Sequence, residues 1–156
     1  MPDSIDLTDL RILALLQSDA SASVAEIAEK VGLSQSPCWR RIQRLEQEGY
    51  IRSRVALLDR RKLGFNLEIF AQVRFSRESE GALDRFEAAL RSMPEVVECH
   101  MLMGEIDFLL RIITRDVETY EQLLRGRLAS LPGVRSINSA IVLSTVKYST
   151  SLPIPP

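Results

Sequence analysis

The side chains best placed to act on something outside the chain are arginines and small polar residues gathered in one segment. Residues 38–54 hold Arg40, Arg41, Arg44, Arg52 and Arg54 against Glu46 and Glu48, a local excess of three positive charges in a chain of net charge −1. At about 100° per residue, Cys38, Ile42 and Leu45 share one face of a helix, and Ser36, Arg40, Gln43 and Arg44 lie on the other. Small polar side chains near a helix N-terminus can approach base edges in a major groove, and the arginines behind them suit guanine edges or phosphates. Such a pattern points to DNA contact by Ser34, Gln35, Ser36, Arg40, Gln43 and Arg44; the alternative is a solvated basic helix in a structural domain. Trp39 borders the two faces and reads as packing rather than base stacking. Arg52 and Arg54 alternate along the segment that follows, either reaching flanking phosphates or facing solvent.

A second place for chemistry is Met101-Leu102-Met103-Gly104-Glu105-Ile106-Asp107. Gly104, lacking a Cβ, permits a tight turn and close approach of a ligand. Asp107 reads as a carboxylate within an apolar strand, where it needs a partner. The ammonium of an amino acid would supply one, and so would an arginine or backbone group of the chain itself. His100 is the only histidine, and no second motif converges on it to make a nucleophile–base pair or a metal cluster. Asp6 and Asp9 have a paired-carboxylate spacing that a helix start explains. Cys38 and Cys99 fit no metal spacing and read as buried thiols of a reducing compartment. No phosphate loop or catalytic constellation is present, so neither an enzyme nor a metal or cofactor is expected. The apolar runs are shorter than the ~18–20 residues that cross a bilayer, and the first six residues lack signal-peptide character. The cytoplasm is the expected compartment.

The elements that must position these residues follow from caps and periodicity. Asp6 caps a helix through Leu7, Leu10, Leu13 and Leu16 that ends near Ser18. Ser23 and Glu26 form a capping box for a short helix that Gly32 stops, and Ser34 caps a third over 35–48, closed by Gly49. Helix, short helix, glycine turn, helix is the outline of a helix-turn-helix. Residues 50–59 read as a strand and connector, and 60–64 as a boundary. Ser92-Met93-Pro94-Glu95-Val96 then recurs as Ser130-Leu131-Pro132-Gly133-Val134. An amphipathic helix precedes each copy (Leu83, Phe86, Leu90 and Met93; Val117, Tyr120, Leu124, Leu128 and Leu131). Strands are expected near 66–75, 96–103, 106–113 and 136–147, which gives a ferredoxin-like βαββαβ domain. The apolar run from Ile106 to Ile113 implies burial on both sheet faces. With helices on only one, the other calls for a second copy of the chain. The fold class is α+β, divided as a DNA-binding domain over 1–50, a strand and linker over 51–64, and a second domain over 65–156.

Two groups of residues then carry a resemblance. Asp6-x-x-Asp9-x-x-Ile12-Leu13, Leu33-Ser34-Gln35-Ser36-Pro37-Cys38-Trp39-Arg40-Arg41-Ile42 and Leu45-Glu46-x-x-Gly49-Tyr50-Ile51 form the first. Cys99-His100-x-x-x-Gly104-x-x-Asp107-Phe108, Leu131-Pro132-Gly133-Val134 and Val146-Lys147 form the second. Together they resemble the Lrp/AsnC (leucine-responsive, feast/famine) transcription regulators over roughly residues 4–154. The resemblance implies a winged helix-turn-helix, a βαββαβ ligand-sensing domain, homodimers assembling into octamers, and an amino-acid effector held between dimers. On that implication Met101, Leu102, Met103, Gly104 and Asp107 form one wall of the effector site. Ser139, Ala140, Ile141 and Val142 form the facing wall, and Val117 influences the response. Met101 and Met103 in the turn and Ala140 in place of an aromatic residue depart from some relatives. The likeness of 37–39 and 147–153 to the branch that includes regulators of cysteine and other amino-acid catabolism favours a sulfur-containing or branched aliphatic effector. A DNA-architectural protein of the same fold without effector response is the alternative. An enzyme or enzyme-regulatory subunit on a ferredoxin-like scaffold is the third class, disfavoured by the missing catalytic groups.

Overall fold

The computed structural model describes residues 5–76 and 81–154; residues 1–4, part of the stretch read for a leader, lie outside these. The chain divides into two compact units, Met1–Leu57 with Lys147–Pro156, and Leu58–Val146. The tail from Lys147, expected with the second domain, therefore groups with the first. The Gln17 side-chain amide holds it there, donating to the Leu152 carbonyl at 3.0 Å and accepting from its N–H at 2.9 Å.

In the first unit, α1 (Leu7–Ser18) opens with a reciprocal capping box between Asp6 and Asp9, and α2 (Val24–Val31) with one between Ser23 and Glu26. Gly32 ends α2 in the left-handed region, as expected. Helix α3 (Gln35–Gln47) starts after Ser34, which holds the cap position without making the side-chain hydrogen bond expected of it. Ile12, Leu16, Ile27, Ala28, Cys38, Ile42 and Leu45 form the core of this unit. The three α3 residues among them are those that the helical period placed inside. The strand expected at the start of 50–59 does not form. A strand needs a second ladder to satisfy its backbone, and no described residue supplies one, so Val55, Leu57 and Leu58 stay exposed.

The second unit runs β1 (Leu67–Phe75), α4 (Ala82–Arg91), β2 (Val96–Met101), β3 (Phe108–Thr114), α5 (Val117–Leu123) and β4 (Val134–Ile141). The sheet order is β2-β3-β1-β4 with every pairing antiparallel, the ferredoxin-like plan that the repeat predicts. Helix α5 runs on into a π-helical stretch, Leu124–Leu128, where one continuous α-helix was expected. The wide turn brings Leu123 and Leu128, five residues apart and both buried, toward one face. Ile69, Ala71, Val73, Leu110 and Ile112 line the helix-covered side of the sheet, where Phe86 and Phe108 pack with ring centroids 4.8 Å apart.

Burial along β3 alternates between buried and half-buried residues, so the expected burial on both faces is not met within one chain. Ile106 and Asp107 precede the strand rather than open it. The uncovered face carries Phe70, Leu109 and Ile113 beside an ionic chain. Glu68, 6% exposed, pairs with Arg111 Nε at 2.7 Å and Arg60 Nη2 at 3.1 Å, and Arg111 Nη1 reaches Glu98 at 2.7 Å. His100 lies 3.2 Å from Glu98, the structural hydrogen bond expected of a strand histidine. Cys99, expected to be buried, is exposed because β2 is an edge strand.

Candidate functional site

Helix α3 presents two kinds of polar surface. Ser34, Gln35, Ser36 and Arg40 are exposed, as an interface with DNA requires. Gln43 is half-buried and donates to Glu46 at 3.1 Å. Arg44, predicted to be a free contact, is half-buried and engaged: its Nη2 donates to Asp9 Oδ2. Arg41 Nη1 reaches Asp6 Oδ2 at 2.6 Å and Asp9 Oδ1 at 2.8 Å. Asp9 is wholly buried, so its charge depends on both arginines for compensation. The Asp9 backbone N–H, and after it Arg41, hold the Asp6 carboxyl below its usual range. Asp9 and then Asp6 in turn raise the pKa of the Arg41 guanidinium.

Sequence reasoning missed this cluster, and a signal for it existed. Asp6 and Asp9 are three residues apart on one helix start, and Arg41 and Arg44 are three apart on another helix, so both pairs repeat at one helical turn. Pro37, Arg40, Arg41 and Arg44 line a hollow of about 330 Å³. Trp39 is 53% exposed rather than packed as expected, because its place on the helix borders the polar face. Arg54 is tied to Glu46 at 2.7 Å, while Arg52 is exposed.

The residues expected around the effector fall into two groups. Met101 ends β2, and Leu102, Met103, Gly104 and Asp107 lie in the β2–β3 turn; all five are exposed, Met103 completely. Gly104 is not in the left-handed region, and a Cβ there would meet nothing within 4 Å. Nothing in its own chain requires a glycine at that point. Asp107 is not stranded among apolar side chains, as the sequence suggested. It precedes β3, is exposed, and its Oδ2 accepts the Phe75 N–H at 2.8 Å. The carboxylate is thus aimed by the backbone of β1 while remaining open to solvent.

Ser139, Ala140 and Ile141 lie on β4, at the opposite sheet edge from β2. Two strands intervene, a separation on the order of 14 Å, so one chain does not bring the two walls together. The Ser139 hydroxyl meets the Tyr120 hydroxyl of α5. Ala140 pairs with Phe70 and faces the uncovered side, opposite to its neighbours in the strand. Val142, beyond the strand, donates its N–H to the Glu68 carbonyl at 2.9 Å. Val117 is exposed at the start of α5. A hollow of about 390 Å³ beside β2 and α4 includes Met101 but none of the other expected effector residues.

Two family models match the chain: winged helix-turn-helix DNA-binding over residues 5–52 and Lrp/AsnC ligand binding domain over residues 68–152. The proline dehydrogenase transcriptional activator of Rhizobium radiobacter is 41% identical over 93% of this chain and 93% of its own length. The leucine-responsive regulatory protein of Salmonella typhimurium is 36% identical over 95% of this chain and 90% of its own. Among solved structures, a Neisseria meningitidis transcriptional regulator in complex with L-Met superposes with a TM-score of 0.92. It is 37% identical, and the match covers 96% of this chain and 97% of that one.

Proposed function

The chain belongs to the Lrp/AsnC family of DNA-binding transcriptional regulators, and from that premise we propose that it regulates transcription in response to an amino acid. The observation that carries this reading is the pair of surfaces just described. An exposed polar and basic face on α3 suits a DNA groove, and an exposed turn holds out a backbone-aimed carboxylate beside an unexplained glycine. Ser34, Gln35, Ser36, Arg40, Gln43 and Arg44 are the proposed DNA-contacting residues.

Met101, Leu102, Met103, Gly104 and Asp107 form one effector wall, and Ser139, Ala140 and Ile141 of another protomer the second, with Val117 nearby. Asp107 then receives the effector's ammonium, and Gly104 leaves room for the effector against the turn. The separation of the walls across the sheet favours a site shared between protomers in a homodimer-based assembly, up to an octamer, working in the cytoplasm. A sulfur-containing or branched aliphatic amino acid is the favoured effector. Met101 and Met103 offer soft apolar surface in the turn, and the Neisseria relative holds L-Met.

Calorimetry with the twenty amino acids, L-Met first, tests this on the full chain and on Asp107→Asn. Wild type is expected to bind one or a few of them, and Asp107→Asn to lose that binding while keeping its DNA affinity. Equal binding by both proteins would remove Asp107 from the site. No binding by wild type would leave a DNA-architectural role instead.

A further inference from the structure

We propose that the hollow lined by Pro37, Arg40, Arg41 and Arg44 seats a single phosphate of the DNA backbone, with Asp6 and Asp9 as the residues that position its arginines. The inference rests on the DNA-binding reading and divides α3 further. One flank holds the backbone, and base reading is left to Ser34, Gln35, Ser36 and Gln43.

Geometry comes first. Positions 37, 40, 41 and 44 are related as i, i+3, i+4 and i+7, so they form one stripe along a single flank of α3. They line one concavity, whereas Ser36 and Gln43 lie on the neighbouring face. Charge comes next. Arg41 and Arg44 pair with two carboxylates, Asp6 and Asp9, and Arg40, which lines the same hollow, leaves it one net positive charge. A phosphodiester carries one negative charge, and guanidinium groups match its oxygens in shape as well as sign.

Orientation decides between phosphate and base. Arg44 is pinned through Nη2 to a fully buried carboxylate, and its Nε is buried without an acceptor. To reach a base edge it would have to leave Asp9 with one partner fewer in a buried site, which is strongly unfavourable. Arg41 uses a single nitrogen, Nη1, for both aspartates, so its remaining N–H groups keep a direction fixed in advance. Guanidinium groups held this way lose little freedom when an anion arrives.

The test is equilibrium binding of the full chain to two duplexes across a salt series. One duplex is the best sequence selected from a random pool, and the other is its scrambled form. The slope of log affinity against log salt counts neutralised phosphates at about 0.9 each. Arg40→Gln, Arg41→Gln and Arg44→Gln should each weaken both duplexes by the same factor and leave the selected sequence unchanged. Each should flatten the slope by about 0.9 per protomer. The triple variant should also flatten it by about 0.9, because the three side chains share one phosphate.

An altered base preference for any of the three variants overturns the proposal, as does a slope that falls by a further 0.9 or so with each arginine removed. Unchanged affinity in all three overturns it too. Should losing an Asp9 partner unfold the unit, as circular dichroism would reveal, Arg40→Gln, which touches no described ion pair, carries the slope test alone. Wild type that binds neither duplex sinks the DNA-binding reading itself, whereas wild type that binds with a slope unaffected by the variants sinks only the phosphate seat.

Discussion

Several demands meet on the Asp9 carboxylate: it takes the Asp6 N–H at 3.2 Å in the capping box and pairs with both Arg41 and Arg44. The spacing of Asp6 and Asp9 made the cap legible. The arginine contacts were not, because a helical wheel describes one helix and says nothing about which residue of another will face it. The same limit applies at Asp107. Sequence showed a carboxylate among apolar neighbours, but its hydrogen bond to Phe75, thirty-two positions away, depends on a strand pairing that local pattern does not encode. A pH dependence follows at this scale. Asp6 is held below its ordinary range chiefly by the Asp9 N–H, and Glu98 chiefly by Arg111. Both groups bind protons more weakly folded than unfolded, so their stabilisation is present above the unfolded pKa of about 4 and fades as pH falls through the lower folded values. Thermal melts should therefore change little between about pH 7 and 5 and drop below about 4. Asp6→Asn retains a capping acceptor without the charge. It should melt lower than wild type at neutral pH and lose less on acidification; an identical acid response in both would remove Asp6 from the account.

Elements with strong internal signals stood where the sequence put them. The capping boxes, the glycine stop of α2 and the doubled Ser-x-Pro/Val segments fixed the order of helices and strands, because each is a local hydrogen-bonding or backbone requirement. Elements that depend on a neighbour did not: the strand after α3 has no ladder to join, and α5 gives way to a π-helical stretch around Gly126. Two glycines near that end of the second unit should respond oppositely to alanine. Gly133 has φ +85°, and a Cβ there would lie 2.4 Å from the Phe75 ring and 2.9 Å from the Ser76 carbonyl oxygen. Gly133→Ala should therefore cost about 2 kcal/mol or more, since the backbone disfavours it and the ring has to yield. Gly126 sits inside helical structure with nothing within 4 Å of an added Cβ. Gly126→Ala should stabilise by about 0.4–1 kcal/mol through the unfolded chain. Urea unfolding of the two variants beside wild type gives both numbers. A destabilised Gly126→Ala would mean that the π-helical turn itself, rather than the burial of Leu123 and Leu128, is what the unit requires.

For the molecule as a whole the informative quantity is exposed apolar surface: Val55, Leu57 and Leu58 after α3, Leu143, Val146 and Tyr148 after β4, with Phe70, Leu109 and Ile113 half-covered on the open sheet face. The sequence foretold that face from the apolar run of β3, and overstated only how much of it one chain could bury. A second copy laid on the open face would cover Leu109 and Ile113 and enclose the Glu68–Arg111–Glu98 chain, whose charges are already paired and so need little new compensation. The full-length chain should accordingly sediment as a dimer or larger at micromolar concentration. Leu109→Glu adds an unpaired carboxylate to each side of a two-fold contact, where like charges in a desolvated interface cost several kcal/mol. It should therefore shift the chain toward monomer by a hundredfold or more in dissociation constant, for an assumed cost of about 3 kcal/mol. Ile113→Glu, on the same open face at the far end of β3 from the β2–β3 turn, separates assembly from sensing: if the effector site is completed by a second protomer, it should weaken amino-acid binding although Asp107 is intact. Wild type that sediments as a monomer, or a Leu109→Glu protein that stays dimeric, would move the interface off this face.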